Sequence, residues 1–360
     1  MDFEVDRDDL RRTRVVDDPP VPLPESGARL RIASFALTSN NITYAAVGDM
    51  LRYWDFFPAA PGDRNWGRVP VWGFAEVVES GVDALAPGRR VYGYWPMATE
   101  LVVRPGRIDD RGFHDMAAHR RDMASAYNRY LFTDADPIHA DGRDDQQMVL
   151  WPLFFTSFLI DDFVADNERF GASTVVISSA SSKTAIGAAF LLSRREGVRV
   201  VGLTSAANAG FVRGLGCYDH TVTYDDIASL AADDAVCVDV AGNRDVLAAV
   251  HAHYGDRLRH SMVVGNTHWD HDATAAAPEA GPRPVFFFAP AQIAKRAKDW
   301  GQDGLDARVG DAWREYAAWT DGWLRFEHAR GPDAVEAAYR TLLAGRADPR
   351  TGYVCTMEVP

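Results

Sequence analysis

The stretch TVVISSASSKTAIGAAFLLSRREGVRVVGLTS, residues 174–205, constrains this chain more than any other. Val175, Val176 and Ile177 form a short β-branched run, the signature of a buried strand. Small residues follow: Ser178, Ser179, Ala180, Ser181 and Ser182. Over 183–194, Ala185, Ile186, Ala189, Phe190 and Leu192 recur at helical spacing, Gly197 fits a helix stop, and 198–203 is a second apolar strand. Strand, small-residue loop, helix and strand make a βαβ unit. It puts backbone N–H groups and a helix N-terminus at the carboxyl edge of the first strand, where they can hold a phosphate.

The usual glycine fingerprint of such loops is degraded. Only Gly187 remains, and Ala180, Ser181 and Ser182 stand where glycines are usual. Small residues still allow close backbone approach, so Ser179, Ala180, Ser181, Ser182, Lys183 and Thr184 are expected to cradle a cofactor's phosphates, Lys183 adding a charge. The other reading is a βαβ unit with no nucleotide. The second strand ends Gly202-Leu203-Thr204-Ser205, followed by Ala206, Ala207 and Asn208, with no acidic side chain. NAD enzymes place Asp or Glu at this tip to accept from the ribose 2′-hydroxyl. Thr204, Ser205 and Asn208 can instead donate to a 2′-phosphate, which predicts NADP(H) over NAD(H); alternatively, Thr204 and Ser205 only begin the next helix.

With 360 residues there is room for one large domain or two ordinary ones. Apolar residues make up 47% and charged residues 25%, a balance that fills a core. A net charge of -13 argues against nucleic acid or an anionic membrane as partner. The acidic start MDFEVDRDD does not read as a signal peptide, and no uninterrupted apolar run reaches the roughly 18 residues that span a bilayer. Cys217, Cys237 and Cys355 lie far apart without metal-type spacing, so a reducing cytoplasm is the expected location.

Residues 1–28, with Pro19, Pro20, Pro22 and Pro24 among charges, read as a loose or extended arm. Short strands at 29–36, 75–78, 90–94 and 98–103, joined by turns such as Pro87-Gly88, predict a small irregular β-barrel. The stretch 109–148 is rich in Asp, Arg and His, with helical spacing over 116–130. An apolar helix over 150–164 leads into the βαβ unit. Strands at 221–224, 235–240 and 261–264 alternate with helices near 207–214 and 244–254, the pattern of a doubly wound parallel sheet. Helices at 292–300, 309–325 and 334–343 and a strand at 353–359 close the chain.

Some of these segments also carry a resemblance. GFAEVVESGVDALAPGRRVYG from Gly73, MATELVV from Met97, LGCYDHTVTYDD from Leu215, VCVDVAGN from Val236 and the closing PRTGYVCTMEV occur in a shared order. In that order they resemble the medium-chain dehydrogenase/reductase superfamily, on its zinc-free, quinone-reductase-like side. The SSASSKTA loop resembles an uncharacterised branch of it, a domain of unknown function. The resemblance implies an α/β fold with a GroES-like β-barrel domain over 1–150, including the N-terminal arm and an inserted helical stretch at about 109–148. A Rossmann-type doubly wound parallel sheet follows over 151–285, and 286–360 supplies helices and a strand returning to the barrel. It further implies an NADP(H)-dependent reductase of a small-molecule substrate, and a homodimer. Thr38, Trp72 and Gly73 stand where the zinc enzymes carry their Cys, His and Glu, so no metal is expected.

A zinc-free reductase must polarise its acceptor with hydrogen bonds and supply a proton. Asn40, Asn41, Thr43 and Tyr44 follow the first barrel strand, in the region that faces the nicotinamide in this superfamily. Tyr44 and Asn41 lead as catalytic candidates with Thr43 beside them; the alternative is that these groups cap a turn. In VVGNTHWD, His268 is a candidate proton shuttle, Trp269 can stack on a flat ring, and Asn266 and Thr267 are expected cofactor contacts. His114, His119 and His139 show no metal spacing. Two readings stand: an NADP(H)-dependent reductase of an activated carbonyl or alkene, and a non-redox protein on the same scaffold, either a nucleotide-binding sensor or a lyase or hydratase.

Overall fold

The computed structural model describes residues 1–17, 19–59, 63, 65–240, 242–264 and 278–359. It divides into two units, one of Met1–Val149 with Leu324–Pro360, the other of Leu150–Trp323.

The first unit opens with β1 (Asp2–Asp6) and β2 (Thr13–Val16), paired antiparallel. This corrects the expectation of a loose arm at its start. Phe3 and Val5 alternate with acidic residues, so one face of β1 is fully buried in the unit's core. On the other face Glu4 accepts from Arg14 at 2.8 Å. Next come β3 (Ala28–Leu37), α1 (Ser39–Ala46), β4 (Trp66–Gly67), β5 (Pro70–Ser80), β6 (Arg90–Pro96), β7 (Glu100–Val103), β8 (Pro105–Asp109), β9 (Gly112–Asp115) and β10 (Arg129–Phe132). β4 pairs with β1. The main sheet runs β3-β5-β6-β10-β9-β8, with β7 on β3.

The 109–148 stretch is therefore not the helical insertion expected. It holds β9, β10 and two single 3-10 turns, Ala118–Arg120 and Ser125–Tyr127. The helical spacing over 116–130 loses to local constraints. Gly112 sits at φ +155, where an added Cβ would lie 2.0 Å from the Tyr130 carbonyl oxygen, and that close approach clamps β9 to β10.

The second unit takes up most of α2 (Asp144–Asp166). By length and composition α2 could cross a membrane, yet 61% of its most apolar window is buried inside the protein, the mark of a core helix. Then follow β11 (Thr174–Ile177), α3 (Lys183–Leu192), β12 (Arg199–Thr204), α4 (Ala209–Gly214), β13 (His220–Thr223), β14 (Ala235–Asp239), α5 (Arg244–Tyr254), β15 (Leu258–Val263), β16 (Val285–Phe286) and α6 (Ala289–Thr320). All strands pair parallel in the order β13-β12-β11-β14-β15-β16. This is the doubly wound arrangement. Its direction of winding reverses between β11 and β14, so the carboxyl ends of those strands form the ligand crevice of such sheets. α3 lies close on α2: a Cβ at Gly187 would fall 2.6 Å from the Ser157 hydroxyl, which donates to the Thr184 carbonyl at 2.8 Å.

α6 also belongs to this unit, so the boundary expected at 285 falls at Trp323. The reason is aromatic packing: Tyr316 of α6 stacks on Phe154 of α2 at 4.6 Å and meets Phe190 of α3 at 5.2 Å. The chain then returns to the first unit as β17 (Arg325–Arg330), α7 (Pro332–Leu343) and β18 (Thr351–Thr356). β18 pairs antiparallel with β3, and β17 lies parallel on β18. All three cysteines are free and buried.

Candidate functional site

The loop after β11 is held from both sides. The Ser178 hydroxyl bonds the Asp239 carboxylate and accepts the Val240 N–H at 2.9 Å. Ser179 takes φ +52, left-handed backbone that glycine favours. The phenol of Tyr224 lies beside it, its pKa pushed up by burial. Ala180 donates its N–H to the Leu203 carbonyl at 2.9 Å, and its own carbonyl accepts from Tyr218 at 2.9 Å. A Cβ on Gly202 would fall 2.9 Å from the Ala180 Cβ and 2.8 Å from the Tyr218 ring. The glycine missing from the loop has its counterpart on the facing strand, and β11 and β12 keep their close approach by that exchange.

Ser182 caps α3, its hydroxyl accepting the Ala185 N–H at 3.3 Å. Lys183 and Thr184 open the helix, where first-turn N–H groups lie beyond the reach of intrahelical acceptors. Asn208 donates its amide to the Ser181 hydroxyl at 3.1 Å, which joins the two predicted phosphate-reading segments. Thr204, at the end of β12, is buried, and its hydroxyl has no partner among the described residues. Ser205 next to it is half-buried. The structure thus brings together Ser179, Ala180, Ser181, Ser182, Lys183, Thr184, Thr204, Ser205 and Asn208 at the carboxyl edge of β11 and β12.

In the first unit, α1 sorts the polar candidates after β3. The Asn41 side chain accepts the Thr38 N–H at 2.7 Å and donates to the Pro70 carbonyl at 2.8 Å. Both arms of its amide are committed to backbone, so Asn41 is a helix cap. Thr43 is exposed, its hydroxyl directed at the Ser39 carbonyl at 3.4 Å. Tyr44 is buried, with its phenol beside Trp72, Asn40 and Tyr127. Burial first, and Tyr127 second, hold its pKa far above the ordinary tyrosine value, so it keeps its proton at neutral pH and stays a donor. The three positions compared with zinc ligands have other work. Thr38 starts α1, Trp72 packs at 5.0 Å on Tyr94, and a Cβ at Gly73 would strike the Ser34 carbonyl at 2.2 Å.

Asn266, Thr267 and His268, with Trp269, lie outside the described residues. His114, His119 and His139 do not converge: they lie against Arg129 at 3.4 Å, the Phe56 carbonyl at 3.2 Å and Gln147 at 3.2 Å. No cluster of metal-type side chains exists among the described residues. Sequence reasoning missed Tyr224, Gly202 and, beside Tyr44, Tyr53 and Tyr94; Tyr127 was a candidate for lining a cleft, with helix packing as the equal alternative. The TYDD segment held the only signal for Tyr224, and no local pattern announces the others.

Residues 35–348 match a family described as "protein of unknown function (DUF2855)". No curated protein matches. Among solved structures, CurA from Vibrio vulnificus in complex with NADPH is similar with a TM-score of 0.61 at 13% identity, covering 97% of this chain and 94% of that one. YhdH from E. coli K-12 with bound NADPH gives 0.55 at 12%, covering 99% and 100%. The Etr1p/NADP/crotonyl-CoA complex gives 0.56 at 12%, covering 99% and 98%. The fold is that of the medium-chain dehydrogenase/reductases, and the chain belongs to the DUF2855 family.

Proposed function

We propose that this protein is a zinc-independent oxidoreductase that uses NADP(H) to reduce an activated carbonyl or alkene of a small organic substrate. One observation carries the reading. The tip of β12 has hydroxyl and amide donors in place of a carboxylate: Thr204 with its unpartnered buried hydroxyl, Ser205, and Asn208 tied to Ser181. An acidic side chain there would repel a 2′-phosphate; these groups can bond it. The loop also fits a dinucleotide sterically, since the Ala180–Gly202 contact and the left-handed Ser179 keep the backbone low over β11. The solved structures of CurA and YhdH with NADPH lend the same fold as support.

When bound, the cofactor supplies the hydride. Ser181, Thr204, Ser205 and Asn208 would hold the 2′-phosphate, and the N–H groups of the loop and of the first turn of α3 would bind the pyrophosphate, with Lys183 adding charge. In the first unit, burial holds the proton on the Tyr44 phenol, which would make it a donor for a substrate oxygen on which charge develops. The serines of the loop favour a second reading, a non-redox protein, because Ser178 and Ser182 are already engaged within the protein. Titrating the protein with NADPH and NADH, followed by tryptophan fluorescence, separates the two. The reductase reading expects NADPH to bind at least about tenfold more tightly. Equal affinities overturn the cofactor choice, and no binding of either nucleotide overturns the reductase.

A further inference from the structure

Ser178 and Asp239 stand level where the winding of the second unit's sheet reverses. β11 and β14 pair in parallel up to Ile177 and Val238, and the next residue of each is Ser178 and Asp239. Both are buried. The Ser178 N–H donates to the Val238 carbonyl at 3.0 Å, which carries the pairing one step past the strands. The Ser178 hydroxyl then works in two directions. It donates to Oδ1 of Asp239 and accepts the Val240 N–H at 2.9 Å. Asp239 extends the grip. Its Oδ1 also accepts the Gly242 N–H at 3.2 Å, and its carbonyl accepts the Val264 N–H at 2.8 Å. One buried pair of side chains thus ties together the segments that leave β11, β14 and β15.

What the pair holds is the backbone that follows it. Ser179 is left-handed at φ +52 without being glycine. A side chain in that region is strained, and the strain persists only where surrounding contacts over-determine the backbone. On one side those contacts are the bonds of Ser178. On the other they are those of Ala180, held between the Leu203 carbonyl and the Tyr218 hydroxyl at 2.9 Å each. The Ser179 carbonyl accepts the Ser182 N–H at 2.7 Å, and Ser182 caps α3. The turn at Ser179 therefore sets where α3 begins. A glycine loop takes this shape freely, whereas this loop takes it by being pinned at both ends.

We propose that Ser178 and Asp239 are positioning residues, whose hydrogen bond presets the turn that aims the N-terminus of α3 at a dinucleotide's pyrophosphate. This rests on the reading of the protein as a dinucleotide-dependent reductase and deepens it. Residues that set affinity for any dinucleotide are separated from those at the tip of β12 that select NADP(H). The pair acts through the loop and not on the cofactor.

The test is Ser178→Ala in the full chain. NADPH and NADH are titrated by tryptophan fluorescence, and amide hydrogen exchange is measured without nucleotide. Affinity for both should fall together, about three- to tenfold, with their ratio unchanged. Exchange of the Ala180 and Ser182 N–H groups should quicken, while exchange within α6 stays as it was. Asp239→Ala should behave like Ser178→Ala. Asp239→Asn keeps an oxygen acceptor for Ser178 and Gly242 and should restore most of the affinity. Thr320→Val controls for stability alone, because it removes another buried hydroxyl of the same unit, bonded to the Ala317 carbonyl at 2.7 Å. Its Tm should fall with both affinities unchanged. Wild-type affinity in Ser178→Ala, an altered NADPH/NADH ratio, or loop exchange no faster than in the wild type overturns the proposal. The exchange arm needs no nucleotide. If the wild type binds neither nucleotide, the reductase reading falls, and loop exchange still decides whether the pair presets the turn.

Discussion

The Asn208 side-chain amide donates to the Ser181 hydroxyl across 3.1 Å, closing the loop after β11 onto the segment after β12. Asn208→Ala breaks that closure and removes a donor from the proposed 2′-phosphate site. NADPH affinity should fall several-fold and NADH affinity far less. Ser205→Asp introduces the missing carboxylate and should erase or reverse the preference, by at least about tenfold. Isothermal titration with both nucleotides measures the two ratios.

Gly202 and Ala180 compete for one space. Gly202→Ala puts a methyl 2.8 Å from Tyr218 and 2.9 Å from Ala180. Overpacking of this kind costs about 1–3 kcal/mol. The double variant Gly202→Ala with Ala180→Gly should recover part of that loss, since contacting sites couple. Urea unfolding of the four proteins in the cycle reads the coupling, and strict additivity would refute the exchange.

Tyr94→Phe should stabilise the protein. It removes a buried hydroxyl that no atom of the described residues bonds, an arrangement that costs about 1–3 kcal/mol when left unsatisfied. A thermal melt of the variant checks this, and a rise in Tm is the expected outcome.

Alkaline pH should unfold this protein cooperatively. Burial pushes up the phenols of Tyr44, Tyr53, Tyr92 and Tyr94. In the unfolded chain they ionise near pH 10. A group whose folded pKa is raised contributes stability that is complete below its unfolded value and is lost as pH climbs above it. Denaturation midpoints should hold up to about pH 9 and then fall, with tyrosinate absorbance appearing together with unfolding.

Arg120 is a harsher test. Arg120→Met leaves Asp115 buried with its charge uncompensated, a change that costs about 3–5 kcal/mol. Asp115→Asn added to Arg120→Met should return part of it, as chemical denaturation would show.

The parallel sheet was legible because its strands are β-branched runs at regular intervals with helices between them, as Val175, Val176 and Ile177 illustrate. The N-terminal strand was not. Phe3 and Val5 are two apolar residues among acids, too short a pattern to outweigh the prolines that follow. In 116–130, apolar spacing mimicked a helix, while the deciding contacts, Gly112 against the Tyr130 carbonyl and Arg120 inside the unit, join residues that no local window pairs. The same holds for the site. That Ser181 and Asn208 come near each other was readable from their places after two successive strands. Asn41 takes the capping alternative, because an amide one turn into a helix looks the same in sequence whether it caps that helix or faces a ligand. Tyr53, Tyr94 and Tyr127 come from three separate segments, and only the fold assembles them.

The contact between Ala180 and Gly202 bears on how chains of this kind can be recognised. A dinucleotide loop need not display its own glycine if the opposite strand surrenders a side chain at the matching height. A motif confined to the loop then passes over the same fold. A two-position pattern, a small residue after the first strand together with a glycine inside the second, expresses the same steric rule and would retrieve it.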